Sequence, residues 1–157
     1  MRKASLHKNN PILLHAAICA RLPHAGRMCL LERLESWDGE SITCIAVSHR
    51  DVDNPLRRDG RLHATAGVEY AAQAMALHGN LLSAPDTAPA MGYLASVRDL
   101  KLELEDLGSI AEDLRITARR LSGDSSGFIY EFEVHAGARA VLSGRLAAKL
   151  LAAGAVA

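Results

Sequence analysis

The stretch Thr65-Ala66-Gly67-Val68-Glu69-Tyr70-Ala71-Ala72-Gln73-Ala74-Met75-Ala76-Leu77-His78-Gly79-Asn80-Leu81-Leu82 decides the fold. It reads as one long helix. Thr65 is placed as the N-cap, because its hydroxyl can accept an otherwise unpaired backbone N–H. Gly79 lies near the far end, where it fits a terminating turn. Ala64, Ala66, Ala71, Ala72, Ala74 and Ala76 make a thin cylinder. A curved sheet can wrap such a helix at close range. One long central helix against one antiparallel sheet is then the simplest architecture, of the α+β class.

The flanking sequence supplies the sheet. Pro11 with Ile12, Leu13, Leu14, Ala17, Ile18 and Leu22 reads as a short helix that Pro23 ends. An apolar run follows over 28–34, then a turn at Trp37-Asp38-Gly39, then alternation through Ile42, Cys44 and Ala46. Asp-Gly between two such runs signals a hairpin. Residues 51–62 form a polar, Arg-rich loop, and 83–89 form a loop carrying Pro85 and Pro89. Period-two alternation over 93–104, 114–121, 128–134 and 138–150 predicts an antiparallel meander, the last strand cut by Gly144. The chain, 1–157, is expected to be a single domain with a basic tail over 1–10.

Composition excludes several functions. The formal net charge is zero, with 18 Lys plus Arg against 18 Asp plus Glu. Nucleic-acid binding needs a basic field that this balance lacks. Aromatic residues are only 4% of the chain, so base-stacking platforms are not expected either. The apolar stretch over 12–20 is too short to span a bilayer and lacks the form of a secretory signal. A cytoplasmic location without a membrane partner is expected. Cys19, Cys29 and Cys44 are odd in number and show no zinc-like spacing, so they read as reduced, buried thiols.

Two phrases carry chemistry. Pro23-His24-Ala25-Gly26-Arg27-Met28 offers an imidazole just ahead of an apolar run, and Gly67-Val68-Glu69-Tyr70-Ala71-Ala72-Gln73 offers a carboxylate on the helix. Their order and spacing resemble the 3-hydroxyacyl-[acyl-carrier-protein] dehydratases, which have the hotdog fold. The matching motifs are Pro23-His24 followed by Met28-Cys29-Leu30-Leu31-Glu32-Arg33, then Glu69 with Gln73 four residues on, then Gly92-Tyr93-Leu94-Ala95-Ser96-Val97. The Gly-Val-Glu-Tyr helix start is similar to the dehydratase-like branch of aryl-polyene biosynthesis. The sequence departs from the main branch at the helix entrance, where His63 and Ala64 replace Pro-Gly, and at Arg27, where a Pro often stands.

The resemblance implies dehydration of 3-hydroxyacyl thioesters on acyl carrier protein to trans-2-enoyl thioesters, in fatty-acid or polyene and polyketide-type biosynthesis. His24 is the expected base for the C2 proton, since imidazole titrates near neutrality. Glu69 is the expected acid for the departing hydroxyl. The helix dipole favours its charged form and an apolar cleft its neutral form. Gln73 lies on the same helix face and is expected to hold the carboxyl in place. Gly67 either donates its N–H to the thioester oxygen or simply allows tight packing. His63, Tyr93, Leu94 and Val97 are placed along the acyl tunnel.

Arg57, Arg58 and Arg61 are either a solvated loop or a docking patch for the acidic carrier protein or its pantetheine phosphate. The substrate arrives on the carrier's phosphopantetheine, and no metal or organic cofactor is expected. The resemblance further implies a homodimer, or a heterodimer with a related dehydratase, with His24 of one chain meeting Glu69 of the other. Two other readings remain: an acyl thioesterase on the same fold, and a non-catalytic dehydratase-like partner subunit.

Overall fold

The computed structural model describes residues 12–23, 26–83 and 92–151. The basic tail, His24 and the loop prolines Pro85 and Pro89 lie outside them. The elements are α1 (His15–Cys19), β1 (Arg33–Trp37), β2 (Ser41–Ala46), α2 (Gly67–Leu82), β3 (Gly92–Leu102), β4 (Leu114–Asp124), β5 (Gly127–Ala136) and β6 (Arg139–Leu150). The strands make one six-stranded sheet in the order β1-β2-β4-β5-β6-β3, with every neighbour antiparallel.

The β1–β2 hairpin closes as expected at Asp38-Gly39. The Asp38 carboxylate accepts the amides of Glu40 and Ser41, each at 2.8 Å. That is the turn chemistry that suits Asp to this position. The meander is real only for β4, β5 and β6. β3 instead crosses over and pairs with the far side of β6, Val97 opposite Leu146. Period-two alternation identifies a strand but says nothing about its neighbour. β6 runs unbroken through Gly144, which faces Phe132 on β5. A Cβ there would lie 3.0 Å from the Phe132 ring, so the glycine makes room for an aromatic rather than ending the strand.

α2 lies against the inner face of the sheet. Tyr70, Ala71, Ala74, Leu77 and His78 are buried, at helical spacing, among Ile42, Cys44, Ile116, Ala118, Phe132 and Val134. Each large side chain so buried contributes about 1.5–3 kcal/mol. The alanines permit the close approach the sequence suggested. α1 is shorter than expected, because Ile12 and Leu13 lie ahead of it and Leu14 is extended and bridges to Arg33. Among the described residues no helix is long and apolar enough to cross a membrane.

Two buried histidines staple the layers. His78 Nε2–H donates to the Asp38 carbonyl at 2.8 Å, and its Nδ1 accepts from the Tyr130 hydroxyl at 2.7 Å. His49 Nε2–H donates to the Glu112 carbonyl at 2.9 Å. Burial holds the pKa of both below the ordinary value. The unfolded chain therefore binds protons near pH 6.5 that the native chain refuses. The stability these groups contribute is complete above that pH and is lost as pH falls below it, at up to about 1.4 kcal/mol per pH unit for each group. The melting temperature is expected to drop between pH 7.5 and pH 5.5 in thermal scans. A rise on acidification would contradict this.

Candidate active site

The start of α2 is built by an unusual cap. A turn of 3-10 helix at Ala64–Ala66 leads into it, and the His63 side chain, not Thr65, is the cap. His63 Nδ1 accepts the Thr65 amide at 3.2 Å. The Ala64 amide donates to the Glu105 carbonyl at 2.8 Å and the Ala66 amide to the His63 carbonyl at 2.9 Å. The Gly67 amide turns back onto the carbonyls of that same turn. Helix-start amides ordinarily lack partners, which is what makes them anion sites. Here those of Ala64 to Gly67 are taken up, so Gly67 does not present a free donor to a thioester oxygen. Its packing role stands. An added Cβ would fall 2.5 Å from a Leu142 methyl.

Glu69 occupies the first turn of α2 and is half-buried. Gln73, one helical turn on, is fully buried and holds three groups. Its Nε2 donates to Glu69 Oε1 at 3.3 Å and to the Met28 carbonyl. Its Oε1 accepts the Leu30 amide at 2.9 Å. The Leu30 carbonyl in turn accepts from the Ser48 hydroxyl at 2.8 Å. Ser48 lies 2.8 Å from the Tyr70 hydroxyl, which also accepts from Asn54 Nδ2 at 3.1 Å. The segment that follows Pro23-His24 is thus fixed to α2 of its own chain through Gln73 and, one step further, through Tyr70.

His24 itself lies outside the described residues. Its neighbour Pro23 lines a cavity of about 280 Å³ together with Glu69, Ala72, Ala76, Tyr93 and Phe128. Leu94 lines it too, whereas Val97 and His63 do not. Val97 lies on β3 outside the cavity wall, and His63 is drawn into the helix cap. One chain therefore brings Pro23 and Glu69 to one cavity. Arg21 and Asn80 line the same cavity, with Arg21 Nη1 donating to Asn80 Oδ1 at 3.1 Å. Nothing in the sequence marked this pair, since it joins the end of α1 to the far end of a helix many residues away.

The arginine cluster divides. Arg57 folds back on its own loop and donates to the carbonyls of Asp51, Gly60 and His49 at 2.7–3.0 Å. It is a structural clamp. Arg58 and Arg61 are exposed, Arg61 lying 3.9 Å from Glu105 and 4.0 Å from Asp106.

The cysteine expectation needs correction. Cys19 and Cys29 form a disulfide, with Cα atoms 5.7 Å apart, because α1 packs beside the chain leaving Gly26. Cys44 alone matches the expectation of a free, buried thiol, and burial pushes its pKa up to about 12. Among the described residues, His15, Cys19 and Cys29 are the group whose potential metal-ligand atoms lie within 4.8 Å of one another. Metal binding by cysteine needs thiolates, which the disulfide does not offer.

Comparison with known proteins completes the picture. The family model ApeP-like, described as ApeP dehydratase, matches residues 16–150. Among solved structures, the chain is similar to the dehydratase heterocomplex ApeI:P from Xenorhabdus doucetiae. The two share 21% identity at a TM-score of 0.75, over 86% of this chain and 91% of that one. It is also similar to a mutant thioesterase from Pseudomonas aeruginosa, at 19% identity and a TM-score of 0.55, over 76% and 80% of the two chains. A hypothetical thioesterase with coenzyme A from Streptococcus pneumoniae gives 12% identity and a TM-score of 0.55, over 75% and 84%. No curated protein matches the sequence. The fold is the hotdog fold, as the sequence motifs implied.

Proposed function

Since the chain belongs to the ApeP-like dehydratase family, we propose that it removes water from 3-hydroxyacyl thioesters carried on acyl carrier protein, giving trans-2-enoyl thioesters for fatty-acid or polyene-type biosynthesis. The observation that carries this reading is the shared cavity of Pro23 and Glu69, with Gln73 bonded to both the Glu69 carboxyl and the backbone that follows His24. In the proposed step His24 takes the proton from C2. The C2 electrons form the double bond, the C3–O bond breaks, and Glu69 gives its proton to the departing hydroxyl. Water leaves, and a proton has passed in net from Glu69 to His24. Base and acid belong to the same chain in this scheme.

The acyl group lies along α2 in the cavity floored by Ala72 and Ala76 and walled by Tyr93, Leu94 and Phe128. Arg58 and Arg61 are the proposed contacts to the acidic carrier. The test is to incubate the protein with a 3-hydroxyacyl carrier protein and follow the product mass. Loss of water supports the reading. Release of the free acid supports a thioesterase instead, and an unchanged mass with carrier binding intact supports a non-catalytic subunit.

A second hotdog chain is proposed to cover the cavity from the β3 edge. β3 is a long edge strand exposing Tyr93, Leu94, Val97, Leu100 and Leu102, each at least 37% accessible. An apolar edge of this kind templates pairing with another strand. The ApeI:P relative is itself a heterocomplex, so the partner is either a second copy or a related dehydratase subunit, and native mass spectrometry of the co-expressed pair decides between them. Val97→Lys, which lies outside the cavity wall, is expected to convert the assembly to single chains in light scattering. An unchanged mass would place the interface elsewhere.

A further inference from the structure

We propose that Cys19 and Cys29 form a reversible dithiol–disulfide site that exchanges with small disulfides, with His15 as the base that activates Cys19. The two sulfurs are not equivalent. Cys29 is 3% exposed, whereas Cys19 is only half-buried, so an incoming reagent meets Cys19 first. His15 Nδ1 lies 2.7 Å from the Leu31 carbonyl. A carbonyl can only accept, so the proton sits on Nδ1 and Nε2 carries the lone pair. That Nε2 lies 3.5 Å from Cys19 Sγ, where it can take a thiol proton. The thiolate is the reactive form. His15 is exposed, and an open cleft of about 600 Å³ runs along His15 and Cys29 toward Asp51 and Asp53. Cys44 shows the contrast, being sealed in the core.

The exchange balances as follows. From the dithiol, His15 takes the Cys19 proton and the thiolate attacks one sulfur of a small disulfide such as oxidised glutathione. The S–S bond of that reagent breaks, and one glutathione leaves and takes up a proton. Cys29, having lost its proton to solvent, then attacks Cys19 Sγ and expels the second glutathione. Two protein thiols are oxidised and one small disulfide is reduced to two thiols.

The bond closes the ring of residues 19–29, whose sequence holds Arg21, Pro23 and His24. Arg21 and Pro23 are cavity wall. Closing the ring ties that wall to the segment Gln73 holds. An effect on turnover rests on the dehydratase reading above, whereas the exchange site does not.

The full chain is equilibrated in glutathione buffers of varied ratio and alkylated while folded, and each cysteine is assigned by peptide mass. Cys19 and Cys29 are expected to pass together from alkylated to blocked as oxidised glutathione rises, with Cys44 alkylated only after denaturation. In the dithiol form His15→Gln is expected to slow Cys19 alkylation about tenfold near neutral pH. Reduction is expected to lower the melting temperature by about 5–10 °C. A pair that stays open, or stays closed, at every ratio overturns the proposal. One zinc ion retained per reduced chain through gel filtration also overturns it, making the cluster a metal site. Turnover of a 3-hydroxyacyl carrier substrate is expected to fall severalfold on reduction, and an unchanged turnover overturns the link to the cavity. The thiol and melting readouts need no turnover, so failure of the dehydratase reading shows up separately.

Discussion

Glu69→Gln is expected to lower the rate of water loss by about 10²–10⁴-fold, the range a positioned general acid contributes, with the fold intact. The substitution keeps size and shape, so the half-buried site in the first turn of α2 is not disturbed. The amide oxygen it introduces can still accept from Gln73 Nε2, which lies 3.3 Å from the native carboxyl oxygen. What the amide cannot do is deliver a proton to the leaving hydroxyl. His24→Ala is expected to match this loss, by removing the group that takes the C2 proton. Circular dichroism and melting temperature close to wild type separate a chemical defect from a folding one. Because Pro23 and Glu69 meet in one cavity of one chain, mixed assemblies of His24→Ala and Glu69→Gln chains are expected to stay inactive. Recovery on mixing would place the base and the acid on different chains.

Gln73→Leu is expected to cost both stability and activity. The residue has no exposed surface, and its side-chain oxygen accepts the Leu30 N–H while its nitrogen donates to the Met28 carbonyl. Its removal orphans both backbone groups in the interior. An unsatisfied buried group costs about 1–3 kcal/mol, so two approach a sizeable share of a typical folding free energy. Denaturant midpoints measure that loss. Activity is expected to fall about 100-fold even where the variant remains folded, because the Glu69 carboxyl and the backbone after His24 lose their common tether. Gln73→Glu separates the two effects. It keeps an acceptor for Leu30, loses the donor to Met28, and sets a second carboxyl beside Glu69. A stability loss smaller than that of Gln73→Leu, with an equal or larger activity loss, locates the effect at the carboxyl.

The local parts of this structure were legible and the long-range parts were not. Asp38-Gly39 announces its turn because the Asp38 side chain bonds amides two and three residues on. The thin helix announces itself through its alanines. The place of β3 beside β6 follows from no local pattern, since the pairing joins segments separated by two other strands. His63 is placed by its position ahead of the helix as a tunnel residue, while the bond from the Thr65 amide to its Nδ1, which caps the turn leading into α2, follows from no local pattern. Arg57 looked like surface charge until its loop folded around it to offer three carbonyls. The Cys19–Cys29 bond likewise depends on α1 lying beside the chain after Gly26. At the start of α2 the free or occupied state of each backbone donor was not readable either. The Gly67 amide shows the difference, being a helix-start donor by position and a paired one in the structure.

The reverse reaction in oxygen-18 water tests the central claim most directly. A trans-2-enoyl carrier protein is incubated with the protein, and the position of the label is read by mass spectrometry. The account predicts one labelled hydroxyl at C3 of an acyl group still bound to its carrier, absent with Glu69→Gln and with His24→Ala. Label in a released carboxylate, or labelling at C3 that persists in either variant, would contradict it.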